Sequence, residues 1–273
     1  MIEIKSQQEI EKMRAAGKLA AETLLAVGEF IKPGITGLDI DRFVKEFTEK
    51  NGGTCAPYMY KNSYSEKHPF PGHVCISPNN VVCHGIPNNK PLDNTIFNVD
   101  VTCILDGAHG DTSAMFFLGK VSDEDMLLMK TAQDALMMGI MIISNGTRVG
   151  DIGEIIQTYS EQRGYSIVKE FGGHGIGIGP NGFHMKPDIL HYGKKGLGQR
   201  LLSGLTHTVE PMLNAGEPGI FLDKNDLWTV YTKDGKNSAQ WEHTILVTDF
   251  GSEILTYREA PLKNSIEMLV EFN

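Results

Sequence analysis

The chain has 273 residues, room for one large domain or two small ones, and its 41% hydrophobic and 22% charged content fits a globular protein rather than a disordered or low-complexity one. A net charge of −9 argues against a dedicated nucleic-acid binder, which needs a basic patch or stripe. No signal peptide is expected in the polar start MIEIKSQQEIEKM, no apolar run is long enough to span a bilayer, and Cys55, Cys75, Cys83 and Cys103 lack CxxC spacing, so reduced thiols in a cytoplasmic protein are expected.

Ser6 with Glu9 three residues on forms a capping box, and helical apolar spacing runs from there to about Phe30, where Pro33-Gly34 stops it. A second helix is predicted from about Leu38 to Lys50, closed by Gly52-Gly53. The stretch Ala56 to Gly72 is rich in Pro, Tyr, Ser and Asn and reads as a loop over a surface or cleft. Short strands are expected near Val74–Ile76 and Val81–Cys83. Ile96 to Met115 then reads as two strands joined at Asp106-Gly107, a dipeptide that tolerates the positive φ values of a hairpin turn. Ser122 caps a long helix to about Ser144, and another spans roughly Val149–Arg163. Further strands are predicted near Ser166–Phe171, Thr206–Pro211, Leu227–Tyr231, Gln240–Thr248 and Glu253–Tyr257. The charged run Lys186–Arg200 reads as a solvated loop.

The order helix, helix, strands thus occurs twice. Gly34-Ile-Thr-Gly-Leu-Asp39-Ile40 is echoed 112 residues on by Gly146-Thr-Arg-Val-Gly-Asp151-Ile152, and Glu49 and Gly52 by Glu161 and Gly164. Cys83-His84-Gly85-Ile86 resembles Gly173-His174-Gly175-Ile176, and Asn98-Val99-Asp100 resembles Thr208-Val209-Glu210. The expected architecture is α+β, one domain over residues 1–273 with halves of about 1–120 and 121–273 and a cleft between them, where ligands commonly bind.

Alternation on the central hairpin puts Asn98, Asp100 and Thr102 on one face and Phe97, Val99, Val101 and Cys103 on the other; His109, Asp111 and Ser113 share a parity on the return strand. Acids are disfavoured in strands. Either that face is solvated, or a proton or metal ion lies between the two carboxylates. The second half adds Glu210 and Glu242 on strands, and His174 sits in a glycine-rich turn that lets the backbone approach a ligand. Four carboxylates and one imidazole suit two divalent ions better than one zinc, whose sites are richer in His or Cys. His84 and His184 lie near these ligands in sequence and are candidates for binding or proton transfer. Other patterns are excluded: Gly177 to Gly182 fits GxGxxG but has Pro180 inside it and no helix after it, and no P-loop, HExxH or Gly-x-Ser-x-Gly occurs.

Across nearly its whole length the chain resembles the type I methionine aminopeptidases. The resemblance is carried by Val82-Cys83-His84-Gly85-Ile86-Pro87, Asn98-Val99-Asp100-Val101-Thr102, Gly110-Asp111-Thr112-Ser113, Gly173-His174-Gly175-Ile176-Gly177, Thr208-Val209-Glu210-Pro211-Met212 and Gln240-Trp241-Glu242-His243-Thr244. It implies the pita-bread fold, with antiparallel sheet around two divalent metal ions (Co, Mn, Fe or Zn). Asp100, Asp111, His174, Glu210 and Glu242 would be the ligands, with Asp111 and Glu242 bridging. His84 would stand beside the scissile amide, His184 at the carbonyl side, Glu210 would shuttle a proton, and Thr102 would assist the attacking water. Cys75, Phe70, Phe183 and Trp228 would wall the methionine pocket. The implied reaction is removal of the N-terminal methionine of nascent polypeptides with a small second residue, by metal-activated hydroxide. The expected enzyme is monomeric and cytoplasmic, with the ribosome as a possible partner and no DNA or membrane partner. It looks like the short bacterial form. Two departures stand out: about eight extra residues, Tyr58–Glu66, and a lengthened Gly179–Gly182 loop, both bordering the pocket. The alternatives are an Xaa-Pro aminopeptidase-like enzyme or a non-catalytic module of the same fold.

Overall fold

The computed structural model describes residues 2–61 and 66–266, so residues 62–65 of the extra Tyr58–Glu66 segment lie outside the described residues. Helix α1 (Gln7–Phe30) starts as its capping box dictates: the Ser6 N–H donates to the Glu9 carboxylate at 2.8 Å and the Glu9 N–H to Ser6 Oγ at 3.3 Å. Helix α2 (Gly37–Lys50) uses Thr36 and Asp39 in the same way. Helix α3 (Asp123–Met141) is capped by Ser122 and carries three acids in its first turn, where the helix dipole favours them. It ends three residues before the predicted Ser144, and α4 (Val149–Glu161) ends two before Arg163.

The sequence repeat has a geometric counterpart. Arg148 N–H donates to Asp151 Oδ2 at 2.7 Å, as Thr36 N–H does to Asp39 Oδ2 at 3.1 Å. Gly34 and Gly146 both have positive φ, as do Gly52 and Gly164. Thr36 and Arg148 each form an isolated antiparallel bridge, to Pro91 and Arg200.

The central hairpin is longer than predicted, Thr95–Leu105 against Ala108–Leu118, with Asp106 and Gly107 at φ of 48° and 78°. Thr102 lies opposite Asp111 and Asp100 opposite Ser113, which places both acids on one face. On the other face Phe97, Val99, Val101 and Cys103 are fully buried in the main core with Leu24 and Val27 of α1. Helix α1 lies directly on the return strand: a Cβ on Gly110 would stand 2.4 Å from the Ala16 carbonyl oxygen, so only glycine allows this approach.

Every strand pairing among the described residues is antiparallel. The hairpin belongs to a four-stranded sheet with Thr54–Cys55 and Cys75–Pro78. A five-stranded sheet runs in the order Ser252–Ile254, His243–Val247, Thr206–Val209, Gly173–Gly175 and Met185–Ile189. Two three-stranded sheets complete the set.

Several strand readings need correction. The run Lys186–Arg200 is not wholly loop, because Met185–Ile189 is an edge strand that buries Pro187 and Ile189. Ser166–Phe171 shortens to Ser166–Ile167, and Leu227–Tyr231 shifts to Val230–Thr232 because Leu227 takes a φ of 63° in a turn. Gln240–Thr248 is two strands, Ser238–Gln240 and His243–Val247, and Thr206–Pro211 stops at Val209. Glu210 and Glu242 therefore sit between strands rather than on them.

That interruption has a cause. Pro211 has no N–H to give the ladder, so pairing ends at Val209↔His243 and resumes at Met212↔Gln240 in a different sheet. Both strands cross between sheets at the same level, leaving Glu210 and Glu242 at the crossing. Trp241 anchors the crossing, donating its indole N–H to the Met129 carbonyl of α3 at 2.9 Å. Glu242 and Ser113 exchange backbone hydrogen bonds, which ties this crossing to the central hairpin. No helix among the described residues is long and apolar enough to cross a membrane.

Candidate metal centre and substrate cleft

One cavity of about 260 Å³ is lined by every residue singled out from the sequence: Asp100, Asp111, His174, Glu210 and Glu242, with His84 and His184, and with Phe70, Cys75, Phe183 and Trp228. Thr102 lines it too. The hairpin supplies Asp100 and Asp111, the strand Gly173–Gly175 supplies His174, and the sheet crossing supplies Glu210 and Glu242.

The donors are held by neighbours. Thr102 Oγ1 donates to Asp111 Oδ1 at 2.7 Å. The Asp111 N–H donates to Thr244 Oγ1 at 3.1 Å, and that hydroxyl donates back to the Asp111 carbonyl. Glu210 accepts from Thr208 Oγ1 at 2.8 Å and from Gln240 Nε2 at 3.2 Å. His174 Nδ1 lies 3.0 Å from the Gly175 carbonyl, which can only accept, so Nδ1 carries the proton and Nε2 presents its lone pair to the cavity. Nε2 stands 3.7 Å from Asp111 Oδ2 and 3.5 Å from Glu210 Oε1. One ligand atom each from Asp111, His174 and Glu242 lies within 4.8 Å of the others.

Electrostatics set the requirement. Burial pushes Asp100 up to about 7. Burial first, then repulsion from Asp100 for Asp111 and from Asp111 for Glu210 and Glu242, raises those three well above the usual carboxylate range. Burial lowers His174 to about 4, so its imidazole is neutral and able to coordinate. Three buried carboxylates and the half-buried Asp100 around a neutral imidazole with a free lone pair fit divalent cations, which neutralise such a cluster without protonating it.

Around this cluster the walls are aromatic. Phe70 and Trp228 meet edge to face at 5.3 Å, and with Cys75 they form a separate apolar cluster. Trp228 is fixed by its indole N–H on the His68 carbonyl at 2.8 Å. His84 takes a φ of 55° and stands edge-on to Phe171 at 5.2 Å; burial lowers its pKa to about 4. Its turn needs the next residue bare, since a Cβ on Gly85 would lie 2.0 Å from the Ile76 carbonyl oxygen. His184 sits at the rim, stacked on Phe183 at 4.0 Å, and desolvation by the surrounding rings lowers its pKa although one edge stays exposed.

Sequence reasoning missed Tyr60, Phe171 and Met212 as lining residues. It also assigned no role to His109 or His191. His109 stacks on Phe183 at 6.0 Å, and His191 Nε2 accepts the Glu210 N–H at 3.1 Å. Parity could have flagged His109, which shares a strand face with Asp111; nothing local marks the others.

The sheets, the paired helices and the central acidic cavity define a pita-bread fold. Profile comparison extends this: metallopeptidase family M24 matches residues 11–249. The chain belongs to metallopeptidase family M24, whose members use divalent metal. Among its relatives, it is 47% identical over 256 residues to the methionine aminopeptidase of Rickettsia prowazekii, covering 93% of this chain and 95% of that one. It is 45% identical over 261 residues to methionine aminopeptidase A of Synechocystis, covering 94% and 98%. The crystal structure of the Rickettsia prowazekii methionine aminopeptidase superposes with a TM-score of 0.89 over 94% of this chain and all of that one. An Xaa-Pro dipeptidase from Bacillus anthracis shares the fold at 20% identity, with a TM-score of 0.73 over 96% of this chain and 63% of its own.

Proposed function

We propose that this chain is a methionyl aminopeptidase that removes the N-terminal methionine from polypeptides with a small second residue. The observation that carries the reading is the convergence of Asp100, Asp111, His174, Glu210 and Glu242 on one cavity that is also walled by the apolar cluster Phe70, Cys75 and Trp228. The likeness to methionine aminopeptidases over most of the chain supports it.

Two divalent ions are the proposed occupancy, of the class Co, Mn, Fe or Zn. Asp100 would hold one, His174 and Glu210 the other, and Asp111 and Glu242 both. When bound, such a pair supplies hydroxide near neutral pH and Lewis acidity towards a carbonyl. The protein's own groups do the rest. Phe70, Cys75 and Trp228 take the thioether side chain, and the carboxylates orient the free α-amine, which restricts cleavage to the chain end. His184 donates to the carbonyl oxygen as it gains charge, and His84 stands beside the amide. Glu210 carries a proton to the leaving amine. The rings of Tyr60, Phe183 and His184 crowd the mouth, which favours a small second residue.

Residues 1–273 are proposed as one catalytic domain of two halves, about 1–120 and 121–273, supported by the matched caps and glycines. A monomer working in the cytoplasm on nascent chains at the ribosome is the setting that suits this reaction.

Met-Ala-Ser and Ala-Pro-Ala offered side by side to the Mn-loaded protein test the reading. Release of methionine from the first alone is expected. Cleavage of only the second would overturn the assignment in favour of an Xaa-Pro peptidase. No cleavage of either and no bound metal would favour a non-catalytic module.

A further inference from the structure

Tyr60 lies in the Tyr58–Glu66 stretch that the sequence marks as additional, and no role follows for it from the family pattern. It is nonetheless well placed. The Met59 N–H donates to the Phe70 carbonyl and the Phe70 N–H to the Tyr60 carbonyl, each at 2.9 Å, and the Tyr60 N–H donates to the Pro57 carbonyl at 3.0 Å. These three bonds fix the backbone of Tyr60 against a wall of the cleft. Its ring lies 5.1 Å from Phe183 and 6.3 Å from Trp228. Its hydroxyl oxygen is 2.8 Å from Nδ1 of His184.

We infer that Tyr60 is a positioning residue whose hydroxyl donates to His184 Nδ1, fixing the tautomer and ring orientation that leave an N–H on Nε2 aimed at the substrate. An imidazole whose Nδ1 accepts a hydrogen bond must carry its proton on Nε2. The opposite arrangement, with Nδ1–H donating to the phenol oxygen, would leave Nε2 as a bare lone pair unable to stabilise a carbonyl oxygen. A phenol O–H is the stronger donor and an imidazole nitrogen the stronger acceptor of the two pairs available, so the 2.8 Å contact favours O–H to Nδ1 over N–H to the phenol oxygen, and burial, which raises the Tyr60 pKa, keeps that proton on the phenol. Phe183 stacks on the imidazole at 4.0 Å and the His174 ring meets it edge to face at 4.4 Å, contacts that hold the ring without choosing a tautomer. Among the described residues the hydrogen-bond partner of a His184 ring nitrogen is the Tyr60 hydroxyl, so the choice of tautomer falls to Tyr60.

The inference rests on the aminopeptidase reading for its catalytic consequence, but its tautomer claim does not. The test is Tyr60→Phe, which keeps the ring packing, studied in the Zn-loaded protein by long-range 1H–15N correlation of 15N-labelled histidine, with His184→Gln assigning the resonances. The wild type is expected to show His184 with its proton on Nε2, and Tyr60→Phe a mixture of tautomers. Methionine release from Met-Ala-Ser should fall roughly two- to tenfold in kcat, the span of one neutral hydrogen bond, with KM little changed. Metal content and the melting temperature confirm that the variant is folded. A wild-type His184 protonated on Nδ1, an unchanged tautomer in Tyr60→Phe, or an altered tautomer with unchanged kcat would each overturn the role. If the wild type releases no methionine, the proposed function fails, and the tautomer arm alone decides what Tyr60 does.

Discussion

His174 and Glu210 are joined through one hydroxyl. Thr208 Oγ1 accepts the His174 N–H at 3.0 Å and donates to Glu210 Oε1 at 2.8 Å, while His174 Nε2 and Glu210 Oε1 stand 3.5 Å apart. Two proposed ligands, one on the strand Gly173–Gly175 and one just past the end of Thr206–Val209, are thus set by a side chain that touches both. Outer groups of this kind tune metal affinity by about 10- to 100-fold. Thr208→Val, close in volume but without the hydroxyl, should weaken Mn binding by about that factor in calorimetry. Thr208→Ser should restore most of it.

Removing a ligand should have opposite effects on metal binding and on the metal-free fold. Asp111 is buried beside Asp100 and repelled by it. Asp111→Asn should abolish stoichiometric metal binding and peptidase activity together, while melting at or above the wild-type temperature once both are treated with chelator. Glu242→Gln should behave alike. Retained activity in either variant contradicts the ligand assignment.

Stability against pH should show two opposing arms. His84, His174 and His207 have pKa values lowered to about 4 and His191 to about 3, all by burial. Between pH 4 and about 6.5 the unfolded chain binds more protons at these groups, so they make stability rise with pH. The raised carboxylates act the other way. From about pH 4 upward the folded metal-free protein holds protons that the unfolded chain has released, at Asp100 up to about 7 and at Asp111, Glu210 and Glu242 because burial and mutual repulsion raise them well above the usual carboxylate range. Between about pH 6.5 and 8 the histidines no longer contribute and the unfolded thiols still hold their protons, so the carboxylates make metal-free stability fall as pH rises. Saturating Mn ionises them in the folded state and should remove that fall. Melting curves from pH 5 to 8, below the range in which the buried thiols titrate, with and without Mn, check both arms; a metal-free protein that keeps gaining stability above pH 7 contradicts the picture of the cluster.

The pocket wall gives a specificity test. Cys75 is buried beside Phe70 and Trp228. Cys75→Leu adds volume where a methionine side chain is proposed to lie. It should raise KM for Met-Ala-Ser at least tenfold and cost about 1–3 kcal/mol of stability.

What the sequence disclosed depended on how local the rule was. Caps at Ser6 and Ser122, the turn at Asp106-Gly107 and the alternation from Phe97 to Cys103 each follow from a few adjacent residues, and all appear where expected. Of the cavity-lining set, the carboxylates and His174 were legible because two similar halves repeat polar residues in the same order, whereas the walls Phe70, Cys75, Phe183 and Trp228 and the roles of His84 and His184 followed only from the family resemblance. The short strand Gly173–Gly175 was not legible, since glycine has no strand preference and its pairing depends on Thr206–Val209 far along the chain. The break at Glu210-Pro211 had a signal in the proline; the matching break at Trp241-Glu242 had none, because it is imposed by the partner strand. Tyr60 meets His184 across a separation of 124 residues, which no periodicity reveals.

The central claim is that oxygens and one nitrogen from both halves hold a pair of cations. The most direct measurement is a crystal grown with excess Mn and examined at a wavelength where Mn scatters anomalously. The account predicts two anomalous peaks about 3.5–4 Å apart, both within bonding distance of Asp111 and Glu242. Absence of any peak in the cavity, with Asp100, Asp111, Glu210 and Glu242 pairing instead with protein groups, would contradict it.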